Sequence, residues 1–339
     1  MLLPDPSPVT DLIEAFRRSK IMFAAVTLGV FDRLHDAPAR ATDLASAGGA
    51  NADALERLLD ACCMLGLLEK AGGVYRNAAV AETYLVSTSP NTLTGYVQYS
   101  DSMLYPIWGN LVNGIREGSH QWKTTFGFDA PIFSHFFRTE EAMRSFLLGM
   151  HGFGQLTSPR VAAAFDLSRF RRMVDLGGAT GHLTIAACEH YPGLRGVVFD
   201  LAGPAQMARE KAALSAARDR IEVVEGDFFT DELPEADLFA LGRILHDWSD
   251  DKIDRLLRRV FDRLPEGGGV LLAEQILNDD GVGPPWANLQ SVNMLLITEG
   301  RERTFDEYRR ILERVGFSSV EGRKTGSTLD AILAIKTSQ

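Results

Sequence analysis

Cysteine is scarce in this chain. Three occur among 339 residues, Cys62 and Cys63 are adjacent, and there is no Cys-x-x-Cys pair. Such a set suits neither a disulfide framework nor a thiolate zinc site, and it fits a reducing compartment with no metal. Basic excess is missing as well: 35 Lys and Arg against 45 Asp and Glu leave a net charge of −10. A balance of that sign argues against nucleic acid or an anionic membrane as a partner held by its phosphates. No uninterrupted apolar run approaches the ~18 residues of a membrane helix. The first residues, Met1-Leu2-Leu3-Pro4-Asp5-Pro6, lack the basic and apolar regions of a secretory signal. The expectation is a soluble cytoplasmic protein, and 45% hydrophobic residues suffice for a large core in one or two domains.

What is present falls into two halves. Residues 10–34 carry Leu12, Ile13, Phe16, Ile21, Phe23 and Val26 at three- and four-residue spacing, which predicts helix buried on most sides. Between 41 and 85 the pattern reads helix, helix, strand, Gly72-Gly73 turn, strand, with Asn51 or Asp53 as a cap. That is the outline of a winged helix. Its charge favours a dimerising over a DNA-binding role, since Arg40, Arg57, Lys70 and Arg76 face six acidic residues. Residues 90–165 read as helical and rich in Phe and Met, including Met103, Phe137 and Phe153. Most of these belong to a core, but flat rings and thioethers also make good walls for an aromatic ligand. The segment 164–170 reads as the junction, giving domains 1–165 and 166–339.

Beyond it the pattern alternates. Strands are predicted at 172–176, 195–199, 220–224, 237–241 and 270–276, with helices near 181–190, 203–216 and 249–263 between them. This predicts an α/β domain with a doubly wound, mostly parallel sheet. Residues 288–298 read as helix, and Thr304-x-x-Glu307 is a capping box for a helix closing at Gly316. Two strands, 317–323 and 329–335, follow as a hairpin, so the seventh strand runs antiparallel to the rest.

The chemistry gathers at strand ends. Val174-Asp175-Leu176-Gly177-Gly178-Ala179-Thr180-Gly181 reads as a buried strand, a tight glycine turn and a helix start, where a nucleotide-like ligand can touch main chain. Asp200, 19 residues after Gly181, is placed to accept ribose hydroxyls. Asp227 in Gly226-Asp227-Phe228-Phe229 can accept from an exocyclic amine while Phe228 stacks on a purine. Each aspartate alone reads equally as a helix cap; three behind one glycine turn do not. NAD fits poorly, because Asp175 repels a pyrophosphate and Ala179 replaces a motif glycine. S-adenosylmethionine has an ammonium, a sulfonium, one ribose, an adenine and no phosphate, and so complements this acidic series.

The second cluster is Arg243-Ile244-Leu245-His246-Asp247-Trp248 after the fourth strand. His246 falls at the same carboxyl edge, and histidine suits proton removal near neutrality. Glu274 ends the fifth strand and Glu302 lies before the last helix. Either can hold the imidazole in one tautomer.

With these residues the chain resembles the small-molecule O-methyltransferases of the caffeic acid type, and most closely acetylserotonin O-methyltransferase and its relatives. The resemblance rests on Asp175–Gly181, Val198–Leu201, Gly226–Phe229, Leu245–Trp248 and Glu302–Thr304, and runs nearly end to end. It implies a Rossmann-like methyltransferase domain behind a winged-helix dimerisation domain, a homodimer, S-adenosylmethionine as methyl donor, and His246 as base. Cofactor contacts carry over to Asp175, Gly177, Gly178, Asp200, Leu201, Gly226, Asp227, Phe228 and Arg243, with Phe137 and Gly154 at two further places. Relatives put aromatic residues at both, often Tyr and Trp, and Gly154 has no ring; the site is expected to be roomier there or closed by another side chain. Trp248, Asp247, Asn293, Met294 and Met103 are candidate acceptor contacts. The expected reaction is methyl transfer to a hydroxyl, most readily phenolic, of a small aromatic molecule. Carbon or nitrogen methylation on the same fold, a non-catalytic cofactor-binding dimer and an NAD-dependent oxidoreductase are the alternatives.

Overall fold

In the computed structural model, which describes residues 3–337, the chain divides into two compact units, Met1–Leu104 and Tyr105–Gln339. The N-terminal unit begins with helices Ser7–Thr27 and Val30–Asp36, broken at Gly29, whose φ of 64° favours glycine. Strand β1 (Ala39–Arg40), helices Ala41–Gly48 and Ala52–Met64, and strands β2 (Leu68–Ala71) and β3 (Val74–Asn77) follow. Asn51 caps the second of these helices, its side chain accepting from the Ala54 amide. The three strands form a small antiparallel sheet in the order β1-β3-β2. Phe31, Leu44, Leu59, Cys62 and Tyr75 fill the core beneath it.

One expectation for this unit is overturned. The first helix is not buried on most sides: Leu12, Ile13 and Phe16 are 77%, 59% and 51% exposed, while only its last turns, from Phe23, enter the core. The apolar spacing is real, but its first half meets nothing within the unit.

The second unit opens with short helices and the long helix Glu140–Ala162, capped by Thr139. The strands come next: β4 (Arg172–Leu176), β5 (Arg195–Asp200), β6 (Ile221–Glu225), β7 (Leu238–Gly242), β8 (Gly269–Glu274), β9 (Ser318–Arg323) and β10 (Asp330–Ile335). They form one sheet in the order β6-β5-β4-β7-β8-β10-β9. The first five are parallel; β10 runs antiparallel to both β8 and β9, as expected of the terminal hairpin. Order reverses at β4, so the crevice beyond the β4 and β7 ends is the switch point where such sheets bind ligands.

Alternation along the strands fills both faces. Val174, Leu176, Phe239 and Leu241 pack with helices Asp250–Arg263 and Phe305–Val315, whose Leu256, Leu257, Tyr308 and Leu312 are buried. Met173, Leu238, Ala240 and Leu271 pack with helix His182–His190 and with Phe153, Val161 and Ala162 of the long helix. That packing explains the boundary. Division was expected at 165/166 and falls at 104/105, because the long helix belongs to the sheet's own core.

Candidate active site

The chain leaves β4 through a turn with positive φ at Gly177, Ala179 and Gly181 (68°, 51° and 76°). Alanine in the left-handed region is strained by about 1–2 kcal/mol. Here the Ala179 amide donates to Asp200 Oδ2 at 2.8 Å, which ties the turn to the end of β5. The glycines leave no room for substituents: a Cβ at Gly177 would overlap Ile244, and at Gly226 the Phe199 ring. The ring of Phe228 lies beside Gly177 as well. Packing of these side chains against the main chain is what requires glycine at both places.

The three aspartates divide in role. Asp175 is only 2% exposed, accepts from Thr184 Oγ1 at 2.9 Å and packs against Gly178. Burial, followed by the nearby Asp200 charge, pushes its carboxyl up to about 7. It shapes the turn from within rather than offering an open anionic surface. Asp200 accepts from the Ala179 and Leu201 amides, and burial raises it to about 6. Asp227 Oδ1 accepts from the Phe229 amide at 2.7 Å, while its own amide donates to Asp231.

The loop after β7 carries His246. Arg243 takes a left-handed φ of 57°, and Ile244 and Leu245 donate their amides to Glu274 Oε1 at 3.1 and 2.8 Å. Those bonds fix the short 3-10 turn Leu245–Asp247 over the end of β8. His246, 3% exposed, shares a 2.6 Å hydrogen bond between Nδ1 and Glu302 Oε1; Glu274 Oε2 is 3.7 Å from the same nitrogen. Glu302, not Glu274, is thus the direct partner, and Glu274 acts through the loop backbone. At Nε2, Asp247 Oδ1 is 3.6 Å away, beyond hydrogen-bond length. With the proton on Nδ1, Nε2 keeps its lone pair for an incoming hydroxyl.

Burial raises every carboxyl around the imidazole: Asp247 and Glu274 to about 7, Glu302 to about 8. Glu274 Oε2 and Glu302 Oε2 are both buried without a hydrogen-bond partner. His246, Glu274 and Glu302 offer ligand atoms within 4.8 Å of one another. With its hydrogen directed at Glu302, however, Nδ1 has no lone pair to offer a cation.

The predicted acceptor contacts are spread more widely. Trp248 packs edge-on to Phe229 and beside Phe133, at 5.0 and 5.6 Å between centroids, and its Nε1 is buried without a partner. Asn293 and Met294 are buried on helix Pro285–Ile297, where Asn293 Oδ1 accepts from Trp108 Nε1 at 2.9 Å. Phe137 packs tilted against Phe133 and edge-on to Phe146. Leu201 contributes its amide, with the side chain 39% exposed. Met103 is buried on Ser100–Leu104, in the N-terminal unit.

Four residues of this site were not singled out in the sequence. Gly300 lies under the main chain of the His246 turn, where a Cβ would overlap His246 O and approach Trp248 N to 2.7 Å. Arg303, 2% exposed, donates to Leu245 O and Asp250 Oδ1, pinning the Glu302 loop to the His246 turn. His151 Nδ1 bonds Thr180 Oγ1 at 2.9 Å, and His182 Nδ1 bonds Ser158 Oγ at 2.8 Å. The histidines had one visible signal: His182 directly follows the last glycine of the turn.

This geometry coincides with clear relationships. Residues 108–318 match the O-methyltransferase domain model and residues 10–87 the O-methyltransferase dimerisation domain. The chain is 43% identical to the acetylserotonin O-methyltransferase of Bos taurus over 338 residues, 97% of either chain. Its fold matches human N-acetylserotonin methyltransferase, solved in complex with SAM, at a TM-score of 0.93, with 38% identity and 97% of both chains covered. It also matches PigF, solved with SAH, at 0.89 and 30% identity, covering 98% of this chain and 100% of that one. These matches favour oxygen methylation over the carbon, nitrogen, non-catalytic and NAD-dependent alternatives. A doubly wound sheet, an acidic glycine turn and a carboxylate-held histidine over its switch point occur here in a chain that belongs to the O-methyltransferase family.

Proposed function

We propose that the protein moves the methyl group of S-adenosylmethionine onto a phenolic hydroxyl of a small aromatic molecule, with His246 as general base. S-adenosylmethionine-dependent O-methyl transfer to a small molecule follows from family membership; the phenolic acceptor and the residue roles are our reading. The observation that carries it is the 2.6 Å Nδ1–Glu302 bond, which commits one imidazole nitrogen and leaves Nε2 for the acceptor.

The crevice fits this cofactor. Cβ-free main chain at Gly177 and Gly226 gives close approach to a flat nucleoside, and Asp200 and Asp227 supply acceptors for ribose hydroxyls and an adenine amine. Gly178 and Leu201 complete the walls, Phe228 and Phe137 supply rings, and Arg243 Nε is buried with no partner in the protein. When bound, S-adenosylmethionine supplies an electrophilic methyl on sulfonium. His246 Nε2 takes the hydroxyl proton as the oxygen–methyl bond forms and the sulfur–methyl bond breaks. Glu302 stabilises the resulting imidazolium, and Glu274 holds the loop at its two amides. Trp248, Asp247, Asn293 and Met294 are the acceptor-binding candidates of this unit, and no metal is required.

Three coarser features complete the reading. The helix, helix and hairpin of the N-terminal unit support a winged helix used for dimerisation, and the dimerisation-domain match supports a homodimer. The free cysteines fit a reducing, cytoplasmic setting. No described helix is long and apolar enough to cross a membrane.

Turnover of labelled S-adenosylmethionine with a panel of phenols tests the reaction. His246→Ala should lower kcat by about 10²–10⁴-fold while S-adenosylhomocysteine still binds. Unchanged turnover in a folded variant would remove the base assignment.

A further inference from the structure

Gly154 is a mid-helix glycine whose backbone needs no glycine. It lies within Glu140–Ala162 and is buried, and its φ is not positive. Glycine there costs about 1 kcal/mol relative to alanine. What it gives is room: a Cβ on Gly154 would collide with Cγ, Cδ2 and Nδ1 of the His182 imidazole. The place where the family resemblance anticipates a ring from the long helix is filled by a ring from the glycine turn instead.

The arrangement around His182 is built, not incidental. Its Nδ1 is held by Ser158 Oγ at 2.8 Å, one turn along the same helix from Gly154. His151, one turn the other way, holds Thr180 of the glycine turn. Met150 lies 3.3 Å from Arg243 Nη1, and Phe153 lies 5.0 Å beneath the guanidinium. One helix face thus fixes His182 and Arg243 together at the cofactor crevice. His182 Nε2 has no hydrogen-bond partner among the described residues, and the side chain is only partly buried. In the tautomer whose Nδ1 accepts from the Ser158 hydroxyl, Nε2 carries the hydrogen.

Charge states what such a donor is for. The ammonium, sulfonium, ribose hydroxyls and adenine amine of S-adenosylmethionine are cations or donors, matched by the acceptors Asp200 and Asp227. Its carboxylate needs a donor instead. Among the described residues, His182 Nε2 and Arg243 Nε are two donors without a hydrogen-bond partner on the residues this helix face holds. We propose that His182 is a cofactor-binding residue that receives the methionine carboxylate through Nε2–H, with Gly154 as the residue that makes space for its ring. Burial, followed by the charges of His151 and Arg243, holds the imidazole at about 3. The contact is therefore a hydrogen bond from neutral histidine across the neutral pH range. It rests on the cofactor assignment and not on the identity of the acceptor.

Calorimetric titration of the full-length protein separates these. Two ligands are compared: S-adenosylhomocysteine, and its decarboxylated form, which lacks only the carboxylate. His182→Ala should weaken the first by about tenfold to a hundredfold, as for a hydrogen bond to a charged group, and leave the second unchanged. His182→Gln, which keeps an N–H near the Nε2 position, should recover part of the loss. If His182→Ala fails to fold, Ser158→Ala keeps the ring and removes its tether, and should show a several-fold loss confined to the carboxylated ligand. Equal weakening of both ligands would reduce His182 to a space-filling role and overturn the proposal, as would no weakening of either. Wild-type protein that binds neither ligand would overturn the cofactor assignment itself.

Discussion

Glu302 holds the imidazole of the base with one oxygen and buries the other without a partner. Its carboxyl is raised to about 8, and those of Glu274 and Asp247 to about 7, so the folded protein binds these protons more tightly than the unfolded chain does. The stability they contribute is complete below about pH 4.5 and lost as pH rises through 7 and 8. His151 and His182 act in the opposite sense. Burial depresses them to about 4 and 3, so their contribution is present above about pH 6.5 and lost only on acidification. Between pH 6.5 and 8 these carboxyls change together with Asp175, while His151 and His182 do not. The melting temperature of ligand-free protein should therefore fall across that window, and less steeply in Glu302→Gln. Parallel slopes for the two proteins would show that Glu302 does not hold the proton.

Among the elements, the helix Phe305–Val315 does more than cover the sheet. Thr304 Oγ1 accepts from the Glu307 amide at 3.2 Å, and Glu307 Oε2 accepts from the Thr304 amide at 2.8 Å. This box anchors the end of the loop that carries Glu302 and Arg303. Thr304→Ala should cost about 1 kcal/mol of unfolding free energy in urea, and lower kcat more than it weakens S-adenosylhomocysteine binding. The box was readable in the sequence because its signature is local, four residues long and independent of what packs on it. The parallel strands were readable for a similar reason: runs such as 172–176 and 195–199 are bounded by turn residues within a few positions. Gly154 with His182, and Gly300 with the His246 backbone, were not readable. Each pair is far apart in sequence, and a glycine leaves no trace of the neighbour it makes room for. The chemistry at His246 lay between, since its position at the sheet edge was legible but the choice of Glu302 over Glu274 as partner required distances.

For the whole molecule, the feature that sequence periodicity misjudged is also the most informative. Leu12, Ile13 and Phe16, with Val9 at 63% exposure, form an i, i+3, i+4, i+7 stripe along the first helix, left uncovered in a single chain. A run of that kind looks the same in sequence whether its cover comes from the same chain or from another. The dimerisation-domain match over residues 10–87 supplies the second possibility. Phe16→Asp, or Leu12→Asp with it, should shift the protein from dimer to monomer in size-exclusion chromatography with light scattering, while helix content measured by circular dichroism is kept.

The position of β10 has a consequence for how the enzyme is made. It is the last strand along the chain, yet it lies inside the sheet, with Asp330 opposite Glu274 and Ile335 opposite Gly269 on β8. Until that strand emerges from the ribosome, β8 has a bare edge and the glutamate that holds the His246 loop has no neighbour on one side. A chain cut before Asp330 keeps His246, Glu274 and Glu302 but leaves the sheet beneath them open. A copy without β10 is left with an unpaired strand edge on β8 that proteases and chaperones can recognise.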